Sequence, residues 1–466
     1  MRKIPRAFWF LFILFCALMS MAAAHVTAED SSMAARTIFV TMSGNDTGDG
    51  SALYPVRSIG RAIGIASYGD TVSIGAGVYN TTGDGDRIFD TSIRLTGAGP
   101  EQTIIDGMNQ RRIFTIGTLR EVLIDNLTIT GGHAERGGGI LISYGNVRFS
   151  NTVISNNSAD FGGGVMLESG TAEFIGCRIS NNTALHGGGG MKIEGAGRAA
   201  INGSEISGNT AGYGGGISQS RSGGVGIWRS KITGNRALSD GGGIFISYGN
   251  GSVSCSVIAD NDAGGAGGAI AVDHGKVRVT SSKIVNNKAV ESGSGIATYG
   301  IMSDLVAVNN IFYNNDNVDC LFIHRWKRGQ MECIGGGACS MPRAPSVSIT
   351  GSRYTGGNAW ARPDGNGFSQ TCTDTDADGI CDSPYHVFEI LSDEHPLVFG
   401  RQGAGSAPNY PLPCDEDVVP QDIPVHYTLN PIRILGETGA LTWITLSLPF
   451  LAVLFLFLYF WKLQYW

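Results

Sequence analysis

Four aspartates near the C-terminal end of the chain have the spacing of a cation-binding loop. They are Asp374, Asp376, Asp378 and Asp382. Carboxylate oxygens suit hard cations such as Ca²⁺, and Gly379 permits the turn that lets those oxygens converge. The twelfth position of the loop is Tyr385 instead of a bidentate glutamate, which argues against a helix-loop-helix sensor. We therefore expect calcium at this loop, with a solvated acidic turn as the alternative.

Glu168, Glu194 and Lys192 form a second group with possible chemistry. The two glutamates occupy the same position of consecutive repeats, so they would stack about 5 Å apart on neighbouring strands. Carboxylates that close raise the pKa of one member or attract a cation, and either effect serves acid–base chemistry. Lys192 could simply neutralise the pair instead. These three residues are the catalytic candidates, and an ordinary charged surface is the alternative.

Aromatic side chains recur near the same predicted face and its corners. They are Tyr144, Tyr213, Phe245, Tyr248 and Tyr299. Flat rings with a polar edge could stack on the rings of a bound sugar. Ordinary corner packing is the alternative.

The repeat that would position these residues is a glycine-rich tripeptide followed by one apolar residue. The apolar residue recurs every 25 to 27 positions, at Ile140, Val165, Met191, Ile217, Ile244, Ile270 and Ile296. A fixed period of this length predicts a solenoid, in which each repeat forms one rung. Apolar residues alternate within each repeat, so one strand face should point inward and the other outward. The predicted outward positions include Met166, Lys192, Ser218, Phe245, Ala271 and Ala297.

One asparagine in each repeat keeps the same period. These residues are Asn157, Asn182, Asn209, Asn235, Asn261 and Asn287. An amide at the same place in every rung can bond the backbone or the amide of the next rung. We expect a structural asparagine ladder.

The segment before the repeats resembles the opening of pectin-lyase-like right-handed β-helix proteins. The residues that carry the resemblance are Thr37-Ile38-Phe39-Val40, Ser43-Gly44-Asn45-Asp46, Gly69-Asp70-Thr71-Val72 and Ala76-Gly77-Val78-Tyr79. The phrase Asp125-Asn126-Leu127-Thr128-Ile129-Thr130-Gly131-Gly132 and the Gly-Gly-Gly-Ile repeats are similar to those of polymorphic outer-membrane proteins. Together they cover residues 36–318 and imply an all-β fold, a right-handed parallel β-helix of about 26 residues per coil. Polysaccharide lyases and hydrolases of this fold act on the outer strand face, but the aspartate cluster and arginine base of a pectate lyase are not visible.

Residues 346–400 resemble the end of NosD-type β-helix proteins of archaeal surfaces. The matching residues are Gly357-Asn358-Ala359-Trp360, Asp378-Gly379, Ser383-Pro384-Tyr385 and His395-Pro396-Leu397. NosD is tied to copper-site maturation. The histidines of this chain are scattered, without a His/Met/Cys cluster of metal spacing, so the copper role is not carried over.

The two ends of the chain predict export and anchoring. Residues 1–28 read as a signal peptide, with a basic start, an apolar core and small residues before the cleavage site. Residues 440–461 carry no charge and are long enough to cross a bilayer, which leaves 462–466 as a cytoplasmic tail. Between the β-helix and this span we expect a Cys-rich cap at 319–345, an Asp-rich module at 346–400 and a stalk at 401–439.

Nine cysteines, one of them in the signal peptide, fit an exported protein. Cys177 and Cys255 lie three rungs apart, about 14 Å, so they cannot bridge each other and are expected to be free and packed. The other six, Cys320, Cys333, Cys339, Cys372, Cys381 and Cys414, could form up to three disulfides. Short loops favour the pairs Cys333–Cys339 and Cys372–Cys381.

The functional prediction is a membrane-anchored surface β-helix that acts as a scaffold or adhesin and binds glycans without cleaving them. A polysaccharide lyase or glycoside hydrolase at Glu168 and Glu194 is one alternative, and a self-associating envelope protein is another. The net charge of −7 provides no basic footprint, so nucleic acid is not an expected partner. The expected partners are surface or environmental glycans, the membrane and other copies of the chain.

Overall fold

The computed structural model describes residues 35–80, 86–89, 91–300, 303–315, 321–323, 344–345, 348–350, 354–355, 357–362, 366–388, 391–393 and 396–399. The predicted signal peptide, stalk, membrane helix and tail lie outside these residues, as does most of the predicted Cys-rich cap, including Cys333 and Cys339. No helix in the described ranges is long and apolar enough to cross a bilayer.

The chain winds into a parallel β-solenoid with three sheets. Sheet A is the largest and is bent, so that each rung contributes two strands to it. Its first column consists of Asp86–Phe89, Val165–Leu167, Met191–Ile193, Ile217–Ser220, Ile244–Ser247, Ile270–Asp273, Ile296–Tyr299 and Leu321–Ile323. Its second column consists of Thr37–Val40, Thr71–Ile74, Arg94–Gly97, Thr171–Ile175, Arg198–Asn202, Gly224–Trp228, Asn250–Ser254, Lys276–Thr280 and Asp304–Val308. Two long strands, Phe114–Asp125 and Ile140–Ser150, run through both columns.

Sheets B and C complete each rung. Sheet B consists of Gly77–Asn80, Thr103–Asp106, Thr128–Thr130, Val153–Ser155, Arg178–Ser180, Glu205–Ser207, Lys231–Thr233, Val257–Ala259, Lys283–Val285, Ile311–Tyr313 and Ala359–Ala361. Sheet C consists of His133–Arg136, Ser158–Phe161, Thr183–Gly187, Thr210–Ala211, Arg236–Ala237, Asp262–Ala263 and Lys288–Ala289. Pairing between neighbouring rungs of these sheets is parallel and in register, which confirms the predicted all-β solenoid.

The core is made of stacked apolar columns inside the rungs. Ile140, Val165 and Met191 are register partners and are fully buried, as the period-two pattern predicts. The rings of Phe149 and Phe174 stack in this core with centroids 4.8 Å apart and planes 7° from parallel. Because each rung covers the apolar face of the next, the rungs are stable only as a stack.

Helix α1 (Ile59–Ile65) lies against the first rungs. Ser58 caps its N-terminus, with the side-chain oxygen accepting from the Arg61 amide at 3.2 Å. Ile59, Ala62 and Ile63 are buried against the solenoid. This helix therefore adds cover to the apolar interior near the N-terminal end of the stack.

Two ladders of polar side chains run along the solenoid. In the first, at the turn between sheets B and C, the Asn157 amide nitrogen donates to the Asn182 amide oxygen at 3.0 Å, and the same contact repeats through the predicted asparagines to Asn315. In the second, at the corner between sheets A and B, a side-chain oxygen accepts from the backbone N–H of the preceding rung, as the Ser230 hydroxyl does from Ser204. The remaining members of this second ladder are Ser256, Ser282, Asn310 and Asn358.

The residue that starts the corner between sheets A and B adopts positive φ in rung after rung. The φ values run from 44° to 58°, at Asn126, Asn151, Gly176, Gly203, Arg229, Cys255, Ser281 and Asn309. We call this column the corner ridge. Glycine and asparagine tolerate this conformation best, and they occupy five of these eight positions.

The prediction that the first outward column of sheet A is exposed is wrong at several positions. Met166, Ser218, Ala271 and Ala297 are buried. The glycine-rich turn before each strand folds over that position, and a Cβ on Gly267 would lie 2.6 Å from the Ala271 methyl. Glycine is therefore required where the backbone approaches the sheet this closely.

The C-terminal module packs onto the last rungs. Ala359–Ala361 pairs with Ile311–Tyr313, and the Trp360 ring stacks on Phe312 at 4.7 Å. In the described part of this region the chain also forms helix α2 (Phe368–Thr371) and the hairpins Ala344–Pro345 with Tyr354–Thr355 and Tyr385–Phe388 with Leu391–Asp393. Part of this module thus continues sheet B.

Cysteine pairing follows the predictions in part. Cys372 and Cys381 form the expected disulfide, and Cys177 is buried and free. The expectation for Cys255 is wrong, because it is disulfide-bonded, to a partner outside the described residues. The rung spacing excluded only a bridge between Cys177 and Cys255, and Cys255 lies on the corner ridge with its side chain buried.

Candidate functional site

One position at the end of each strand in the first column of sheet A presents polar side chains outward. Ser220, Ser247, Asp273 and Tyr299 are register partners on consecutive rungs. The complete set, which we call the polar row, is Ser143, Glu168, Glu194, Ser220, Ser247, Asp273 and Tyr299. Because rungs repeat every ~4.8 Å, the row forms a continuous polar strip along the solenoid.

The structure brings Glu168 and Glu194 together through an arginine. The Arg136 guanidinium lies between them, with its Nε 2.9 Å from Glu168 Oε1 and its terminal nitrogen 2.6 Å from Glu194 Oε2. Arg221 approaches the other oxygen of Glu194 at 3.7 Å. Both carboxylates are therefore paired with guanidinium groups.

Arg136 is the residue that sequence reasoning missed. It ends a strand of sheet C and immediately precedes the glycine turn that folds over sheet A. The contact with Glu194 spans 58 positions, so no local pattern indicates it. The sequence feature that could have indicated this role is the position of Arg136 directly before a glycine tripeptide.

Lys192 is half-buried and bonds to a residue of the next rung. Its ammonium donates to Ser218 Oγ at 3.1 Å. The pKa of Lys192 is lowered to about 8, chiefly by burial; the charge of Glu194 opposes this shift, and the charges of Arg136 and Arg221 add to it. A lysine with this pKa is partly neutral in mildly alkaline solution and can then accept a proton.

Tyr299 is held by aspartates. Its hydroxyl donates to Asp240 Oδ2 at 2.9 Å, and burial followed by the charges of Asp240 and Asp273 raises its pKa. Asp273 also contacts His274 Nδ1 at 2.5 Å. This tyrosine is thus part of a polar cluster, which limits its ring as a platform for a sugar.

The other predicted aromatics are distributed over two corners. Tyr213 and Phe245 contact each other, with ring centroids 5.3 Å apart. Tyr248 stacks on His274 at 4.7 Å and is 59% exposed. Tyr144 is also exposed, but it lies four rungs from Tyr248, or about 19 Å. Tyr248 is the aromatic best placed to meet a ligand that lies along the polar row.

The aspartate loop has a geometry that could hold a metal ion. Asp374, Asp376 and Asp382 each offer a carboxylate oxygen, and these oxygens lie within 4.8 Å of one another. The structure does not bring Asp378 into this group, because its carboxylate accepts from the Ile380 amide at 2.7 Å. The bond from the Thr375 hydroxyl holds the pKa of Asp382 below its usual value. The disulfide Cys372–Cys381 closes the same loop.

Comparison with known families agrees with this architecture. Residues 103–237 match the family model described as "Right handed beta helix region". The chain is accordingly a right-handed β-helix protein. Residues 216–365 match the model described as "Periplasmic copper-binding protein (NosD)", so this β-helix protein carries a NosD-type segment. No curated protein matches the sequence.

Several solved structures are similar to parts of this chain, with low TM-scores. Pectate lyase Pel9A matches with a TM-score of 0.40 and 18% identity over 62% of this chain and 77% of that one. The pectin methylesterase from Aspergillus niger matches with a TM-score of 0.36 and 12% identity over 62% and 90%. A rhamnogalacturonan lyase matches with a TM-score of 0.32 and 13% identity over 59% and 87%. Similarity at this level carries no argument about activity.

Copper does not fit the metal-binding group that the described residues form. That group consists of three carboxylates, whereas copper prefers nitrogen and sulfur ligands. The described histidine side chains have other contacts: His133 bonds Ser158, His186 lies against Phe161, and His274 contacts Asp273. The oxygen-only set is typical of a hard cation.

Proposed function

We propose that this protein is a glycan-binding β-helix scaffold or adhesin of the cell surface, without catalytic activity. The signal peptide predicted at 1–28 would export it, and the helix predicted at 440–461 would anchor it in the membrane. The glycan would lie along the polar row, with its hydroxyls on the carboxylates and serines and one ring against Tyr248.

The observation that supports binding over cleavage is the position of Arg136. A glycosidase needs one carboxyl group that is protonated and one that is ionised. Here a single guanidinium pairs with both glutamates, at 2.9 Å and 2.6 Å. The same ion pairs leave carboxylate oxygens fixed in position, which suits hydrogen bonding to hydroxyl groups.

A polysaccharide lyase is the second candidate, and the environment of Lys192 favours it. A lyase abstracts a proton from the sugar, and a lysine whose pKa is about 8 can serve as the base. This alternative requires the half-buried Lys192 side chain to reach the ligand.

Replacing Tyr248 with asparagine tests the binding proposal. Asparagine suits the positive φ of 56° at this position and removes the ring, so we expect about tenfold weaker binding to glycans selected on an array. The matched control is Tyr54→Asn, which removes an exposed ring at the N-terminal end of the solenoid and should bind as the wild type does. Equal affinities of the Tyr248→Asn variant and the wild type would contradict the proposed site.

A reducing-end release assay on the same glycans separates the two candidates. We expect the wild type to bind without releasing new ends. If the wild type releases new ends, the Lys192→Met variant and the Glu168→Gln, Glu194→Gln double variant are assayed as well. Loss of release in both variants would contradict the scaffold proposal and support the polysaccharide lyase.

We propose that the cation of the aspartate loop is calcium. Asp376→Asn should weaken calcium binding at least tenfold in isothermal titration, because it removes one of the three converging carboxylates. Asp378→Asn is the matched control, since it removes a neighbouring charge and keeps an oxygen to accept from Ile380. A loss of the same size in both variants, or no binding of calcium at about 10⁻³ M, would show that the loop is a solvated turn.

A further inference from the structure

A groove of about 600 Å³ lies on the outer surface of sheet B, beside the corner ridge and away from the polar row. We call it the side groove. Its floor is formed by Val153, Arg178, Glu205 and Lys231, and the loop of residues 99–102 closes one end. The Thr128 hydroxyl bonds the Pro100 carbonyl at 2.5 Å, which ties this loop to the adjoining strand of sheet B.

The wall of the side groove has a notch in the corner ridge. Gly176 and Gly203 occupy consecutive ridge positions, and a Cβ built on either would meet no atom within 4 Å. The ridge positions on either side carry Asn151 and Arg229. Two consecutive rungs therefore lack the side chain that the neighbouring rungs place at the rim, and the groove opens outward there.

The floor of the side groove carries charges in alternation. Arg178, Glu205 and Lys231 are register partners on consecutive strands. In the described part of the chain these three side chains form no ion pair with one another within 4.0 Å. The two cations lie two rungs apart, or about 10 Å, with a carboxylate between them.

Arg229 adds a third cation at the rim. Its guanidinium lies over the Trp228 ring at 4.5 Å, which holds it beside the notch. With Glu101 and Glu205 as the acidic residues of the lining, the groove carries three positive and two negative charges, a net of +1. The whole chain has a net charge of −7, so the side groove is a local exception.

We propose that the side groove binds an acidic oligosaccharide, a chain of sugar units that bear carboxylate groups. Carboxylates of the ligand would pair with Arg178 and Lys231, and sugar hydroxyls between them would donate to Glu205. The notch at Gly176 and Gly203 leaves room for the sugar rings.

Filling the notch tests this proposal. The Gly176→Asn, Gly203→Asn double variant should retain the fold, because asparagine already occupies the ridge at Asn126 and Asn151. We expect it to bind tetragalacturonate at least tenfold more weakly than the wild type in isothermal titration. The matched control is Gly234→Asn, a glycine of positive φ with open space at the turn between sheets B and C, and it should bind as the wild type does.

A charge variant keeps the test independent of backbone effects. Arg178→Gln with Lys231→Gln should also weaken binding at least tenfold, while Lys276→Gln with Lys288→Gln, exposed cations of sheets A and C, should not. The uncharged methyl ester of tetragalacturonate should bind the wild type at least tenfold more weakly than the acid. Thermal melting of each variant verifies the fold.

Three outcomes would overturn the proposal: no binding of tetragalacturonate by the wild type, equal binding of acid and ester, or undiminished binding by the charge variant. The Tyr248→Asn variant separates this site from the polar row. It should bind tetragalacturonate in the side groove with unchanged affinity. The proposal for the polar row and the proposal for the side groove can therefore be rejected independently of each other.

Discussion

Replacing Asn209 with alanine should lower the free energy of unfolding by about 3 kcal/mol or more. The Asn209 amide nitrogen donates to the Ile179 carbonyl and to Asn235 Oδ1, both at 2.9 Å. Its oxygen accepts from the backbone and side-chain nitrogens of Asn182, at 2.9 Å and 3.0 Å. Alanine removes all four bonds at a site with no solvent exposure, so the polar groups of two neighbouring rungs lose partners that water cannot replace.

Urea unfolding, followed by circular dichroism, measures the effect of Asn209→Ala. The matched control is Asn250→Ala, an exposed asparagine in sheet A, whose replacement should change the free energy of unfolding by less than about 0.5 kcal/mol. Equal midpoints for the two variants would mean that the ladder is neutral for stability.

Replacing Phe174 with alanine should cost about 4 kcal/mol of unfolding free energy. The Phe174 side chain is fully buried and stacks on Phe149 with ring centroids 4.8 Å apart. Truncation opens a cavity between rungs, and the rigid stacking of strands above and below limits collapse around it.

The companion variant Phe174→Leu separates lost volume from lost ring stacking. Leucine fills most of the space, so we expect a cost nearer 1 kcal/mol. The same denaturation experiment compares the two variants. A cost below about 1 kcal/mol for Phe174→Ala would show that the core rearranges freely at this rung.

The predictable part of the fold is the part that repeats. Ile140, Val165 and Met191 keep one period and one side of the strand, so alternation alone predicts their burial. The asparagines at the turn between sheets B and C are equally regular, and their amides can satisfy each other only in a stack. The serine ladder was not predicted, because serine is common at corners and its presence there does not indicate a ladder. The role of Ser204, Ser230 and Ser256 depends on the backbone N–H group of the neighbouring rung that each hydroxyl meets.

The site was less predictable because its contacts cross between sheets. The spacing of Glu168 and Glu194 predicts that they are neighbours, but Arg136 reaches them from sheet C. The burial of Met166 likewise depends on how far the preceding glycine turn folds over sheet A. Both features follow from the path of the backbone at a corner, which the alternation of residues along one strand does not encode.

The asparagine ladder has a consequence for how a gene for such a protein can change in length. Each interior member, such as Asn209, accepts from the preceding rung and donates to the following one, so every interior rung offers its neighbours the same bonds. A duplication or loss of one whole repeat would leave every amide with a partner. A deletion of a few residues inside a repeat would displace the asparagine, the glycine turn and the inward columns at once. Such β-helices are therefore expected to lengthen and shorten by whole repeats, which extends the binding strip in steps of about 4.8 Å.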